Sequence, residues 1–195
     1  LPALVLASSS PRRRDFLSGL GLRFAVRAAD VDESPLPGES PRDYVLRLAV
    51  AKAAAEAHPG ELVLAADTIV VLDGELLGKP RDAAEARAML ARLAGREHEV
   101  YSGVALLEQG RGETAADVEV SRVRMAAMTP ADVAWYVGTG EPLDRAGSYA
   151  VQGLGALLVE GVEGNYSNVV GLPLPLTRRL FARLGYELLD FRQTG

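Results

Sequence analysis

Gln109-Gly110-Arg111-Gly112 separates two β-rich runs, 98–108 and 113–127. The glycines supply turn chemistry between the runs, so the segment reads as a long antiparallel hairpin. Alternation in the second run slips between Val120 and Val123, which predicts a bulge near Ser121. Upstream lie strand 3–7, helix 11–20, strand 23–28, helix 41–57, strand 62–72, a short strand 75–78 and helix 83–94. Downstream follow helix 130–137, a glycine-rich region 138–156, strand 156–160 and helix 173–184. Long antiparallel strands beside βα units predict an α/β fold with a mixed, strongly twisted sheet flanked by helices, in preference to a plain Rossmann fold.

The 195 residues carry no internal repeat or low-complexity block, and the Pro/Gly-rich stretch from Ser34 to Gly38 is too short for an interdomain linker, so 1–195 is expected as one domain. A net charge of -5 on a chain that is 48% hydrophobic and 24% charged argues against disorder and against general nucleic-acid binding. The absence of cysteine excludes disulfides, thiolate nucleophiles and sulfur-ligated metals, and two histidines, His58 and His98, exclude a histidine-rich metal site. The apolar start, Leu1 to Ala7, is too short for a membrane span and lacks a signal peptide's basic flank, so a cytoplasmic protein is the expectation. Asn165-Tyr166-Ser167 matches a glycosylation sequon, but such triplets arise often by chance.

Three helix starts provide an internal comparison. Ser10-Pro11, Ser40-Pro41 and Thr129-Pro130 each place a hydroxyl cap before a proline. Three residues past the cap the second and third carry Asp43 and Asp132, which complement the positive end of the helix dipole. The first carries Arg13, flanked by Arg12 and Arg14, a charge that disfavours the helix by about 0.3–1 kcal/mol per residue. A bound anion reverses that sign, and Ser8, Ser9, Ser10 and the open backbone N–H groups would complete a phosphate cradle. The alternative is a basic patch paired with surface acids.

The run Leu62 to Leu72 is apolar except for Asp67 and Thr68. An unpaired carboxylate there is unfavourable, so Asp67 should meet a cation, a metal or a cleft, as a strand-closing aspartate or as a metal ligand or general base. Asp73-Gly74 folds the following strand back, and the ideal register sets Lys79 opposite Thr68, on the face away from Asp67, unless Lys79-Pro80 has already left the sheet. Gly74 to Pro80 resembles a Walker A loop only superficially: it is one residue short between the glycines and has proline where magnesium would need a hydroxyl. Val45, Leu48 and Lys52 share one helix stripe, which suits a snorkelling lysine or one that reaches a phosphate. Asp30, Asp32 and Glu33 form an acidic loop, ordinarily a solvated one, with metal binding as the alternative.

Together, Leu6-Ala7-Ser8-Ser9-Ser10-Pro11-Arg12-Arg13, Val31-Asp32-Glu33-Ser34, Ala51-Lys52-Ala53, Ala66-Asp67-Thr68, Gly78-Lys79-Pro80-Arg81, Tyr101-Ser102-Gly103, Asp144-Arg145-Ala146-Gly147-Ser148-Tyr149 and Val170-Gly171-Leu172-Pro173-Leu174 resemble the Maf family of nucleoside triphosphate pyrophosphatases over nearly the whole chain. The resemblance implies two lobes around a central cleft and hydrolysis of a nucleoside triphosphate to the monophosphate and pyrophosphate with a divalent metal. It implies that Ser8, Ser10, Arg13, Lys52 and Lys79 hold the triphosphate, that Glu33 and Asp67 lie at the metal and the attacking water, and that Asp67 accepts the proton. Arg12, Thr68 and Gln152 resemble the branch acting on dTTP, UTP and modified uridine nucleotides. A homodimer is also implied.

The residue chemistry agrees. Attack at the α-phosphorus needs cations on the phosphoryl oxygens and on the leaving pyrophosphate, which Arg13, Lys52, Lys79 and a metal would supply. Oxygen-only donors favour magnesium, with manganese as the alternative. The amide of Gln152 offers both a donor and an acceptor to a pyrimidine edge. A competing reading from another class is a nucleotide-sensing or nucleic-acid-binding regulator of cell division and septum formation, against which the net charge of -5 argues. A Nudix hydrolase would give similar products, but Gly95-Arg96-Glu97-His98-Glu99 lacks the flanking pattern of its glutamate-rich helix.

Overall fold

A computed structural model describes residues 1–193. The elements run β1 (Ala3–Ala7), α1 (Pro11–Gly19), β2 (Ala25–Arg27), α2 (Pro41–Ala55), β3 (Glu61–Leu72), β4 (Glu75–Leu77), α3 (Ala83–Leu93), β5 (Glu97–Glu108), β6 (Glu113–Met125), α4 (Pro130–Gly138), β7 (Val159–Glu163), α5 (Tyr166–Val170) and α6 (Leu174–Arg183). Seven strands form one mixed sheet in the order β2-β1-β3-β5-β6-β7, with β4 paired to β3. β1 lies parallel to β2 and to β3, while β4 runs antiparallel to β3 and β7 antiparallel to β6. The expected α/β class with a mixed sheet and flanking helices is present. Among the described residues, no helix is long and apolar enough to cross a membrane.

Contacts divide the chain into two compact units. The first comprises Leu1–Asp67, Ser102–Glu119 and Gly171–Gly195, and the second Thr68–Tyr101 and Val120–Val170. In the first, strand alternation feeds two cores. Leu62, Leu64 and Ala66 of β3 pack with Leu4, Leu6, Leu17 and the α6 residues Leu176, Leu180 and Phe181. Val63 and Ala65 point the other way, to Val5, Ala7 and the α2 residues Ala49 and Ala53. In the second unit, Val70 and Leu72 pack with Ala86, Leu90 and Leu93 of α3 and Val133, Tyr136 and Val137 of α4.

The close approach of α2 to its side of the sheet depends on Gly103 in β5. A Cβ there would lie 2.2 Å from the Val45 carbonyl oxygen and 2.8 Å from the Leu46 nitrogen, both helix backbone. This gives Tyr101-Ser102-Gly103 a packing reason that its sequence does not reveal.

The sequence-based boundaries hold to within a few residues, with two differences. The strand expected over 156–160 is a 3-10 turn, Gly153–Leu158, followed by β7 at Val159–Glu163. Leu157, 72% exposed, and buried Leu158 show the one-out, one-in pattern of a strand, which a 3-10 turn gives equally over two residues. Helix α5 was not expected, because five residues are too few for a periodic pattern. Its start is held by Asn165, whose Oδ1 accepts from the Asn168 backbone N–H at 2.8 Å and from Ser167 Oγ at 2.6 Å. In the β6–β7 pairing the register is irregular between Arg124 and Met125.

The helix starts differ as their first turns suggested. Ser40 accepts from the Asp43 N–H at 3.1 Å, and Thr129 with Asp132 closes a reciprocal capping box. Ser10 makes no side-chain cap bond, and the first turn of α1 contains no acid.

Two stability predictions follow from these contacts. Gly103→Ala should displace α2 and lower stability by about 2–3 kcal/mol; an unchanged urea midpoint would show that the helix yields freely. Ser40→Ala should cost about 1 kcal/mol and Ser10→Ala markedly less, so equal losses in thermal unfolding would contradict the different uses of the two hydroxyls.

Candidate active site

In the first unit, β3 alternation that sends Val63 and Ala65 toward α2 sends Asp67 the same way. Lys52 comes from the facing stripe of that helix. Its Nζ lies 2.7 Å from Asp67 Oδ1 and 2.6 Å from Glu33 Oε1. Only 12% of the lysine side chain and 13% of the aspartate side chain remain exposed, whereas Glu33 is 59% exposed. Lys52 therefore does not snorkel into water: its ammonium is spent on two carboxylates, one sunk in the sheet and one on the loop before α2. The apolar strand tolerates Asp67 because that cation is there.

Tyr44, on the same helix as Lys52, donates its hydroxyl to the Glu33 carbonyl at 2.8 Å and so ties down the acidic loop. Burial, reinforced by Asp67 and Glu33, pushes its phenol up to about 12, so it remains a donor. Residues 44, 48 and 52 are spaced four apart, which is the signal that could have found it. Within the acidic loop Asp32 serves the backbone, accepting from the Ser34 N–H at 2.9 Å, and Asp30 is exposed.

At the start of α1, Arg13 Nε donates to the Gly171 carbonyl at 2.7 Å and Nη1 to Ser8 Oγ at 3.1 Å. Ser8 Oγ also accepts from the Ser10 N–H at 3.2 Å, so this hydroxyl keeps its own proton to donate. Burial lowers the Arg13 guanidinium below the ordinary arginine value; Asp67 opposes that shift, Arg12 adds to it and Glu33 opposes it. Those couplings place Arg13 within the electrostatic reach of the Lys52 cluster. Gly171, read from sequence only as part of a motif, supplies the carbonyl that aims the guanidinium.

Glu33, Lys52 and Asp67 thus meet at one ammonium and Ser8 meets Arg13 at the start of α1, all in the first unit, with Ser10 and half-buried Arg12 at the same helix start. Three further candidates belong to the second unit. Thr68 follows Asp67 and by alternation faces the other way. Strand β4 ends at Leu77, and the Gly78 carbonyl accepts from the Gly147 N–H at 3.1 Å. Lys79 has therefore left the sheet, which frees it from the register that would have set it opposite Thr68. Its Nζ lies 2.7 Å from Asp144 Oδ1, with both side chains more than 60% exposed. Gln152 is exposed in the loop before Gly153–Leu158.

For a divalent metal the available donors are oxygen only. Glu33 and Asp67 meet at one ammonium, and the described residues contain no group of three or more histidine, aspartate or glutamate side chains able to hold an ion. Two carboxylates suit magnesium, which keeps several waters and takes further ligands from substrate phosphates.

The chain is 56% identical, over 96% of both sequences, to the dTTP/UTP pyrophosphatase of Anaeromyxobacter dehalogenans strain 2CP-C. It is 57% identical to the dTTP/UTP pyrophosphatase of Myxococcus xanthus strain DK1622, over 95% of this chain and 94% of that one. Among solved structures it is similar to the Staphylococcus aureus Ham1 protein, with a TM-score of 0.46 and 18% identity over 64% of this chain and 72% of that one. A family model described as Maf-like protein matches residues 3–184, and the chain belongs to that family.

Proposed function

We infer that the protein is a nucleoside triphosphate pyrophosphatase that hydrolyses dTTP and UTP, and modified pyrimidine nucleotides of the same shape, to the monophosphate and pyrophosphate. The observation that carries this reading is the Lys52 ammonium bridging Asp67 and Glu33, electrostatically coupled to Arg13 at a helix start that lacks acidic residues. Near-full-length relatives at 56–57% identity bear the name of that activity.

In this reading Ser8, Ser10 and Arg13 bind phosphoryl oxygens with hydroxyl, backbone N–H and guanidinium donors. Lys52 is a cation beside the reacting phosphorus. Asp67 accepts the proton of a water whose oxygen attacks the α-phosphorus as the bond to the bridging oxygen breaks and pyrophosphate leaves with the electron pair. A magnesium ion, held by Glu33 and Asp67 with phosphate and water ligands, would neutralise charge on the phosphoryl oxygens. Lys79 adds an ammonium for the triphosphate, and Arg12, Thr68 and Gln152 serve substrate selection, Gln152 by pairing its amide with the pyrimidine edge. The proposed setting is the cytoplasmic nucleotide pool. We also propose a homodimer, supported by exposed apolar side chains in the second unit, Trp135, Leu143, Leu154 and Leu157.

Incubation with magnesium and dTTP or UTP should give monophosphate and pyrophosphate; nucleoside diphosphate with orthophosphate would contradict attack at the α-phosphorus. Asp67→Asn should reduce kcat at least about 100-fold with an unchanged circular dichroism spectrum, and wild-type turnover in that variant would remove Asp67 from the mechanism. Light scattering should report twice the monomer mass, whereas a single-chain mass would refute the dimer.

A further inference from the structure

The segment that carries Gln152 is held by a carboxylate outside the site residues described above. Glu141 opens the 3-10 turn Glu141–Asp144 and is half-buried. Its Oε2 accepts from the Tyr136 hydroxyl at 2.6 Å and from the Gly155 N–H at 2.8 Å, and its Oε1 accepts from the Leu154 N–H at 3.0 Å. Tyr136, fully buried on α4, accepts through the same hydroxyl from the Ala150 N–H at 3.0 Å. Backbone on both sides of Gln152 is therefore tied to one phenol–carboxylate pair. Burial would raise the Glu141 carboxyl, but hydrogen bonds from Tyr136, Gly155 and Leu154 outweigh it and leave the group lowered, as an anion accepting several bonds should be.

The glycines fit around the pair. A Cβ on Gly153, whose φ is +66°, would lie 2.3 Å from Glu141 Oε1, and one on Gly155 would lie 2.1 Å from the Ala150 carbonyl oxygen and 2.5 Å from the Tyr136 hydroxyl. A loop containing two glycines would otherwise sample many conformations, and ordering it at the moment of binding would weaken affinity. The anchors remove that cost in advance.

We propose that Glu141, acting with Tyr136, is a positioning residue that fixes residues 150–155 so that Gln152 presents its amide to the pyrimidine base in one orientation, setting base selectivity without touching substrate. The inference rests on the role given to Gln152 above. Because the anchors order a recognition loop and leave the proton transfer alone, their loss falls on KM and on discrimination between bases, with kcat largely retained.

Steady-state kinetics with UTP and CTP on the wild type, Glu141→Gln, Tyr136→Phe and Gln152→Ala test it. In Glu141→Gln, KM for UTP should rise about 10–100-fold with kcat within about threefold, and the UTP-to-CTP ratio of kcat/KM should fall to that of Gln152→Ala. Tyr136→Phe should move the same quantities in the same direction by less, and it carries the test alone if Glu141→Gln does not fold. An unchanged UTP-to-CTP ratio in a folded variant, whether thermal stability falls or not, would reduce the pair to a structural role and overturn the proposal. Wild-type protein without UTP turnover would instead overturn the pyrophosphatase reading, and the inference with it.

Discussion

The ion pair between Lys52 and Asp67 is the constraint around which the first unit is arranged. A carboxylate in the middle of an apolar strand is tolerable only with a cation in contact, and the chain supplies it from a helix whose backbone can lie close to the sheet. That closeness needs Gly103, because any β-carbon at that position would strike the backbone of α2. Glu33 joins the same ammonium, and Tyr44 ties its loop to the helix that bears Lys52. Charge placement, strand parity and helix packing thus impose a single solution.

The helix starts show how one local motif serves two ends. At Ser40 and Thr129 the hydroxyl accepts a backbone N–H of the first turn, and at Thr129 the Asp132 carboxylate accepts the cap's own N–H in return. At Ser10 the carboxylate is replaced by arginine and the cap bond is not made. The stabilisation forgone there is modest, on the order of 1 kcal/mol, and in exchange the positive end of α1 keeps its capacity for an anion.

Much of this was legible in the sequence because it obeys short-range rules. Alternation placed Asp67 within a strand, the four-residue stripe placed Lys52 on the apolar face, and the contrast among three Ser/Thr-Pro starts singled out Arg13. What the sequence left open depends on long-range contacts. Lys52 read first as a snorkelling side chain, since only the folded chain shows which carboxylates face it. The ideal hairpin register would set Lys79 opposite Thr68; in the structure that register stops with β4 at Leu77, and the Gly78 carbonyl is engaged by Gly147, far along the chain. Tyr136 and Glu141 gave no signal, and Gly171 gave one only as part of a motif, because a carbonyl, a buried phenol and a loop carboxylate acquire meaning only from what they touch.

The order of segments along the chain has a consequence for biogenesis. The first unit is assembled from three pieces, and α6, which supplies Leu176, Leu180 and Phe181 to its core, is encoded beyond Val170, where the second unit is already complete. During translation the N-terminal strand, the Arg13 helix and the Asp67 strand must therefore wait, partly uncovered, while the ribosome produces everything the other unit requires. Gly171 arrives with that closing piece, so the carbonyl that orients Arg13 becomes available only as α6 is about to emerge. The start of α1, with the guanidinium that Gly171 orients, is thus among the last features of the first unit to be completed.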